Sequence, residues 1–260
     1  MSAERLVILF TTGQCNLKCR YCGGSFPKQL VPWRIEYNFG SLKRFLKSLG
    51  EVDIAFYGGE PLLNPRFIRR VMDEVPAKHF VIQTNGLLVD RLEPRYWRKF
   101  DTVLLSIDGV EKVTDYYRGR GVYRRVLRAA RRLRELGFKG DLIARMTVSY
   151  KSDIYRDVSH LIELGIFDHV HWQLDVVWSE WKSYFYKWAE ESYMPGISRL
   201  VGLWLKKMEE GVVLGIAPFL GVARVDILGV PNTAPPCGAG VNSIAISTDG
   251  RVLACPIAVR

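Results

Sequence analysis

At 260 residues, 48% hydrophobic and 25% charged, the chain has the composition of a folded globular protein, which excludes collagen-like, low-complexity and disordered classes. Such a length can bury about three-quarters of the unfolded surface in one large domain, or in one domain with a small appendage. The net charge of +10 keeps a polyanionic partner in view, while five cysteines are too few and too clustered for a disulfide scaffold.

The N-terminus, Met-Ser-Ala-Glu-Arg, runs straight into a short apolar strand with no secretory signal pattern. Apolar runs stay far below the ~18 residues needed to cross a bilayer. A cytoplasmic protein with reduced thiols is expected, and no membrane association. Strands are predicted at Leu6–Thr11, Asp53–Tyr57, Phe80–Thr84, Thr102–Ile107, Leu142–Val148 and His169–Leu174. Helical patterns lie between them at Gly40–Leu49, Arg66–Val75, Pro94–Lys99, Val122–Leu136 and Ile154–Leu164. Strands alternating with helix-length connections imply an α/β fold with a parallel sheet, and ligands then sit beyond the carboxyl ends of the strands.

Arginine supplies 24 of the 37 basic residues, and eight of those fall between Arg118 and Arg134. Val122, Val126, Leu127, Ala130, Leu133 and Leu136 mark the opposite face of that helix, so the arginines read as a solvated face. A landing patch for an acidic peptide or nucleic acid is the sharper reading, but no nucleic-acid motif accompanies it and none is expected to bind. In the last strand His169, His171, Gln173 and Asp175 share one face. His171 and Gln173 are therefore pocket candidates, although an ordinary polar strand edge explains them equally well.

After Asp175 the rhythm breaks. Residues 176–194 are rich in aromatics, among them Trp178, Trp181, Tyr184, Trp188 and Tyr193, and plain core is favoured over a lid or groove. A helix-like stretch, Ile197–Met208, precedes a loose, proline-containing tail. The chain closes with Val241–Ser247 and Arg251–Ala254 around Asp249-Gly250, which reads as a β-hairpin.

Cys15, Cys19 and Cys22 have the spacing C-x3-C-x2-C in the loop leaving the first strand. Three such thiolates can hold three irons of a [4Fe–4S] cube and leave the fourth iron without a protein ligand. Zinc would want a fourth Cys or His nearby, and the nearest histidine is His79. Three further motifs close successive strands: Tyr57-Gly58-Gly59-Glu60-Pro61, Gln83-Thr84-Asn85-Gly86 and Ser106-Ile107-Asp108-Gly109. Singly, each reads as turn chemistry. Together with the cysteine loop, including Tyr21 before the last cysteine, they resemble the radical S-adenosylmethionine (SAM) superfamily over residues 1–109.

That resemblance implies a partial (β/α)6 barrel over residues 1–215. It also implies a [4Fe–4S] cluster on Cys15, Cys19 and Cys22, whose free iron is chelated by the amino and carboxylate groups of SAM. Gly58 and Gly59, ahead of Pro61, would let backbone approach the SAM amine, and Glu60 would accept from it. Asn85, Ser106 and Asp108 suit the ribose hydroxyls or the methionine carboxylate. Arg118 would neutralise that carboxylate, with Arg145 a second candidate. Inside a strand, Arg145 needs a partner or a ligand.

Cys237-Gly-Ala-Gly, the Asp249-Gly250 turn and Cys255-Pro256 resemble the opening of the SPASM, or twitch, extension of peptide-modifying radical SAM enzymes. The extension would occupy residues 216–260 and read as incomplete. Cys237 and Cys255 would begin an auxiliary iron–sulfur site, yet two thiols fall short of the four that enclose a cluster, so no auxiliary cluster is expected. The implied activity is reductive cleavage of SAM to a 5′-deoxyadenosyl radical that abstracts hydrogen from a peptide or protein. A ferredoxin or flavodoxin would supply the electron. A small-metabolite radical SAM enzyme, a glycyl-radical activating enzyme and a non-catalytic iron–sulfur or zinc protein remain alternatives.

Overall fold

Hydrophobic patterning builds the molecule from strand–helix pairs. The computed structural model describes residues 5–176, 182–229, 235 and 237–259. Strands β1 (Leu6–Phe10), β2 (Asp53–Tyr57) and β3 (Phe80–Thr84) are separated by helices α1 (Phe39–Ser48) and α2 (Pro65–Glu74). Helix α3 (Pro94–Trp97) leads to β4 (Thr102–Ser106), and helices α4 (Glu111–Arg118) and α5 (Val122–Glu135) lead to β5 (Asp141–Val148). Helix α6 (Ile154–Glu163) joins β5 to β6 (His169–Leu174). Asn38, Asn64 and Asp153 start α1, α2 and α6 by accepting a bond from an orphan first-turn amide, and Pro65 follows Asn64 at the first helical position.

These six strands pair in parallel in chain order. The sheet runs β6-β5-β4-β3-β2-β1 and does not close on itself, giving an open α/β barrel. Strand alternation divides its two faces. Val7, Leu9, Ile54, Phe56, Val103, Leu105, Leu142, Ala144 and Val170 are buried in the main core with the helices. The opposite face lines the barrel interior, where Ser106, Arg145 and His171 stand in register on β4, β5 and β6. Helix α5 buries Val122, Val126, Leu127, Ala130 and Leu133, so its arginine-rich side is the solvated one.

Beyond β6 the structure departs from the sequence reading. Helices α7 (Lys182–Trp188) and α8 (Met194–Glu209) flank a π-helical turn at Ala189–Tyr193. Of the aromatic stretch, Trp188 is buried, Tyr184 and Tyr186 are exposed, and Trp178 and Trp181 lie outside the described residues. The tail expected to be loose contains α9 (Ala217–Leu228), whose Phe219 packs edge-on against Trp172 of β6 at 6.0 Å. The closing hairpin forms as β7 (Ser243–Ile246) and β8 (Val252–Leu253), and β7 joins the main sheet in parallel beside β1. Among the described residues no helix is long and apolar enough to cross a membrane.

Candidate active site

A cavity of about 260 Å³ opens at the carboxyl ends of the strands, and Cys15, Cys19 and Cys22 line one side of it. The loop that carries them is bonded on both flanks. At its start, Thr11 N–H donates to Tyr57 O at 2.9 Å, Gly59 N–H to Thr12 O at 3.0 Å and Glu60 N–H to Gln14 O at 2.7 Å. The two glycines are needed for this contact: a Cβ on Gly59 would lie 2.0 Å from Gln14 O, and one on Gly58 2.3 Å from Thr12 O. Close approach of the cysteine loop is thus one demand the structure shows for Gly58 and Gly59, which also line the cavity.

Glu60 continues the same joint. Its Oε1 accepts from Leu62 N–H at 3.0 Å and from the Thr84 hydroxyl at 2.6 Å, and its Oε2 accepts from Asn85 N–H at 2.8 Å. Burial raises the Glu60 pKa, and these three donors oppose the rise. Asn85 in turn donates to Asn16 Oδ1 at 2.7 Å and accepts from Leu87 N–H at 3.0 Å. Both side chains line the cavity while tying β2, β3 and the cysteine loop together.

At the far end of the loop, Asp108 is fully buried and does not line the cavity. Its carboxylate accepts from Arg118 at 2.8 and 2.7 Å, from the Tyr21 hydroxyl at 3.1 Å and from Thr147 N–H at 2.9 Å. Those four bonds use the acceptor positions of a carboxylate. Asp108 thus holds Arg118, and through Tyr21 the last turn of the cysteine loop. Pro61 is likewise buried behind the cavity wall, at the start of a short 3₁₀ turn.

Ser106, Arg118 and Arg145 do line the cavity. Arg118 is buried, and its charge opposes the upward shifts of the Cys15 and Cys19 thiols and adds to the lowering of Cys22. Arg145 has no carboxylate partner among the described residues; its Nη1 donates to His171 Nδ1. Burial holds the Arg145 pKa down, to about 10, while burial and the Arg145 charge push His171 down to about 4. Near neutral pH the pair is therefore a guanidinium beside a neutral imidazole. Of the two pocket candidates on β6, Gln173 reaches the cavity and His171 stands behind Arg145. Tyr57, which opens the Gly-Gly-Glu-Pro motif without a role of its own in the sequence, and Thr147, which reads as an ordinary strand residue, also line the cavity.

Cys237 and Cys255 are outside this cavity. Gly240 N–H donates to Ala254 O at 3.1 Å, which sets their two segments side by side, and all five cysteines are free thiols.

A model of the radical SAM superfamily matches residues 9–165. The chain belongs to the radical SAM superfamily. Among curated proteins, this radical SAM chain is 26% identical to a cysteine-type anaerobic sulfatase-maturating enzyme of Clostridium perfringens, over 96% of its own length and 73% of the relative's. A 34% identity to a GTP 3′,8-cyclase of Chlorobaculum tepidum covers only 41% of the chain and 33% of that enzyme. Among solved structures, native anSMEcpe with bound AdoMet superposes with a TM-score of 0.77 at 21% identity, covering 97% of this chain and 74% of that one. Streptococcus suis SuiB bound to its precursor peptide SuiA gives a TM-score of 0.58 at 18% identity, over 99% of this chain and 60% of that one. At such identities the superpositions speak for the fold.

As a radical SAM enzyme the chain uses a [4Fe–4S] cluster and SAM, and its donor set fits them. Cys19 and Cys22 share a hydrogen bond that draws the Cys22 thiol down to about 6 and raises Cys19; burial raises Cys15 to about 11. Among the described residues, no three His, Cys, Asp or Glu side chains are grouped to hold a single metal ion. A cube asks for a wider arrangement, because each cysteine ligates a different iron.

Proposed function

We propose that this radical SAM enzyme modifies a peptide or protein. The observation that carries the reading is the similarity to sulfatase-maturating enzymes, which spans 96% of the chain and so continues beyond residue 215 into α9 and the β7–β8 hairpin. When bound, the cluster and SAM supply the 5′-deoxyadenosyl radical that takes a hydrogen atom from the substrate. Cys15, Cys19 and Cys22 would hold the cluster. Arg118, whose charge reaches all three cysteines, would take the SAM carboxylate, and Gly58, Gly59, Glu60 and Asn85 would fix the shape of that wall. Residues 216–260 would form the opening of a SPASM-like extension. Unpaired thiols throughout suit a cytoplasmic, reducing setting.

The test is anaerobic reconstitution followed by dithionite reduction with SAM. Wild-type enzyme should release 5′-deoxyadenosine, and the Cys15→Ala/Cys19→Ala/Cys22→Ala variant should lose both its iron and that product. A fully loaded wild-type cluster that yields no 5′-deoxyadenosine would rule out the reading.

The electron would come from a ferredoxin or flavodoxin, and the cysteine loop presents a face suited to an acidic donor. Lys18 and Arg20 flank Cys19 and are exposed; Arg20 lies 4.3 Å over Tyr116, and Lys151 lies 5.2 Å over Tyr150. None of these three cations has an acidic partner among the described residues. Lys18→Glu/Lys151→Glu should slow cluster reduction by an acidic flavodoxin by about tenfold and flatten its salt dependence, as expected for steered encounter. Reduction by dithionite in the same samples should change far less. Equal slowing of both would point to a damaged cluster instead.

A further inference from the structure

The barrel interior holds two arginines with different electrostatic situations. Arg118 is matched by the buried Asp108 carboxylate at 2.7 Å. Arg145 faces the same cavity with no carboxylate bonded to it among the described residues, its guanidinium fixed by a neutral His171 on the adjoining strand. Leaving a cation unpaired in a partly buried position costs stability unless a ligand completes it. We propose that Arg145, braced by His171, is the receptor for a carboxylate of the peptide substrate, and so selects peptides with an acidic side chain or a free C-terminus near the reacting residue.

Position separates this role from recognition of SAM. Arg118 sits on the cysteine side: Arg20 N–H bonds to Tyr117 O, and Tyr21 shares Asp108 with Arg118. Its field reaches all three thiols, whereas the charged or titratable neighbours of Arg145 are Tyr57, Arg118 and His171. Arg145 also stands on the sheet itself, on β5, whereas Arg118 ends α4. Arg145 is in register with Ser106 and His171, one row below Thr147 and Gln173. SAM bound at a cluster held by the three cysteines would have its carboxylate near Arg118, whose charge reaches all three thiols, and that would leave the β5 cation for a second anion.

Competing charge does not fill the position. Glu60 is committed to Thr84, Leu62 and Asn85. Asp175 lines the same cavity and is not bonded to Arg145; its backbone follows His171 by four residues, about 13 Å along an extended strand. Around Arg145 the cavity offers Ser106, Thr147, Tyr57 and Gln173 as neutral donors, a setting in which a carboxylate gains a charge-assisted bond and loses little.

The inference rests on the peptide-modifying reading, and the experiment separates the two. Reconstituted, SAM-loaded enzyme is titrated with three short N-acetylated peptides that carry a central cysteine. One has a nearby Glu and an amidated C-terminus, one has Gln in its place and an amidated C-terminus, and one has Gln with a free C-terminus. Binding is followed by calorimetry, and 5′-deoxyadenosine is measured in parallel. At least one carboxylate peptide should bind about tenfold tighter than the all-amide peptide, and which one identifies the source of the carboxylate. Arg145→Gln should abolish the preference and Arg145→Lys should retain part of it, with SAM affinity unchanged within twofold in both. Melting temperatures check folding, and removal of an unpaired charge should not lower them.

Carboxylate preference that survives Arg145→Gln, or its absence in a wild type that binds peptides, overturns the inference alone. So does a tenfold loss of SAM affinity in Arg145→Gln, which would hand Arg145 to the cofactor. If no peptide binds or raises 5′-deoxyadenosine above the peptide-free rate, the peptide reading fails and the inference with it.

Discussion

Asp108→Ala should cost about 3–5 kcal/mol of stability, the range for removing one partner of a buried ion pair. The size follows from what the carboxylate holds: Arg118 in two bonds, the Tyr21 hydroxyl and the Thr147 amide, all inside the protein. Without it the Arg118 guanidinium, 7% exposed, keeps its charge and loses its counter-ion. In a protein of this length the loss corresponds to a melting temperature lower by roughly 10 °C. Asp108→Asn keeps the shape and one acceptor, and should fall between the two. Adding Arg118→Leu to Asp108→Ala should recover part of the loss, because the orphaned charge goes as well. Iron content should drop too, since Tyr21 no longer ties the turn that carries Cys22. A variant that melts with the wild type would show that the pair contributes no net stability.

The barrel was legible because each strand is a short apolar run bounded by polar or glycine-rich turns, and such runs fix strands within a residue or so. The cysteine spacing was legible for a chemical reason: few structures other than a cluster loop require three thiols so close together. Partnerships were not legible. The partners of Asp108, namely Tyr21, Arg118 and Thr147, come from three separate segments, and only the fold brings them together. Arg145 was marked as a strand residue in need of a partner, but that the partner is His171 depends on the register of β5 against β6. Helix α9 was missed because Ala217–Leu228 spreads its apolar residues around all sides, so it lacks the period that marks a helix. The hairpin was read from its Asp-Gly turn, which says nothing of the strand beside which it docks.

Gly59→Ala should be among the most damaging single-methyl changes at the described glycines. Its added Cβ would lie 2.0 Å from the carbonyl oxygen and 2.4 Å from the carbonyl carbon of Gln14, and 2.9 Å from the backbone nitrogen of Cys15. All three are backbone atoms, so no rotamer change relieves the overlap. The loop itself must move, and it is held in place by the bonds from Gly59 and Glu60 to Thr12 and Gln14. A shift of about 1 Å at Cys15 displaces one cluster ligand, and misplacement on that scale costs catalysis about a hundredfold. Iron per chain and 5′-deoxyadenosine formation should therefore fall together, while the helices, which pack on the other face of the sheet, keep their circular dichroism. Gly202→Ala is the control. Gly202 lies in α8 with no neighbouring atom within 4 Å of an added Cβ, so the change should leave activity intact and raise stability by roughly 0.5–1 kcal/mol. If Gly59→Ala loads its cluster as fully as Gly202→Ala, the backbone contact between the Gly-Gly turn and the cysteine loop is not what positions Cys15.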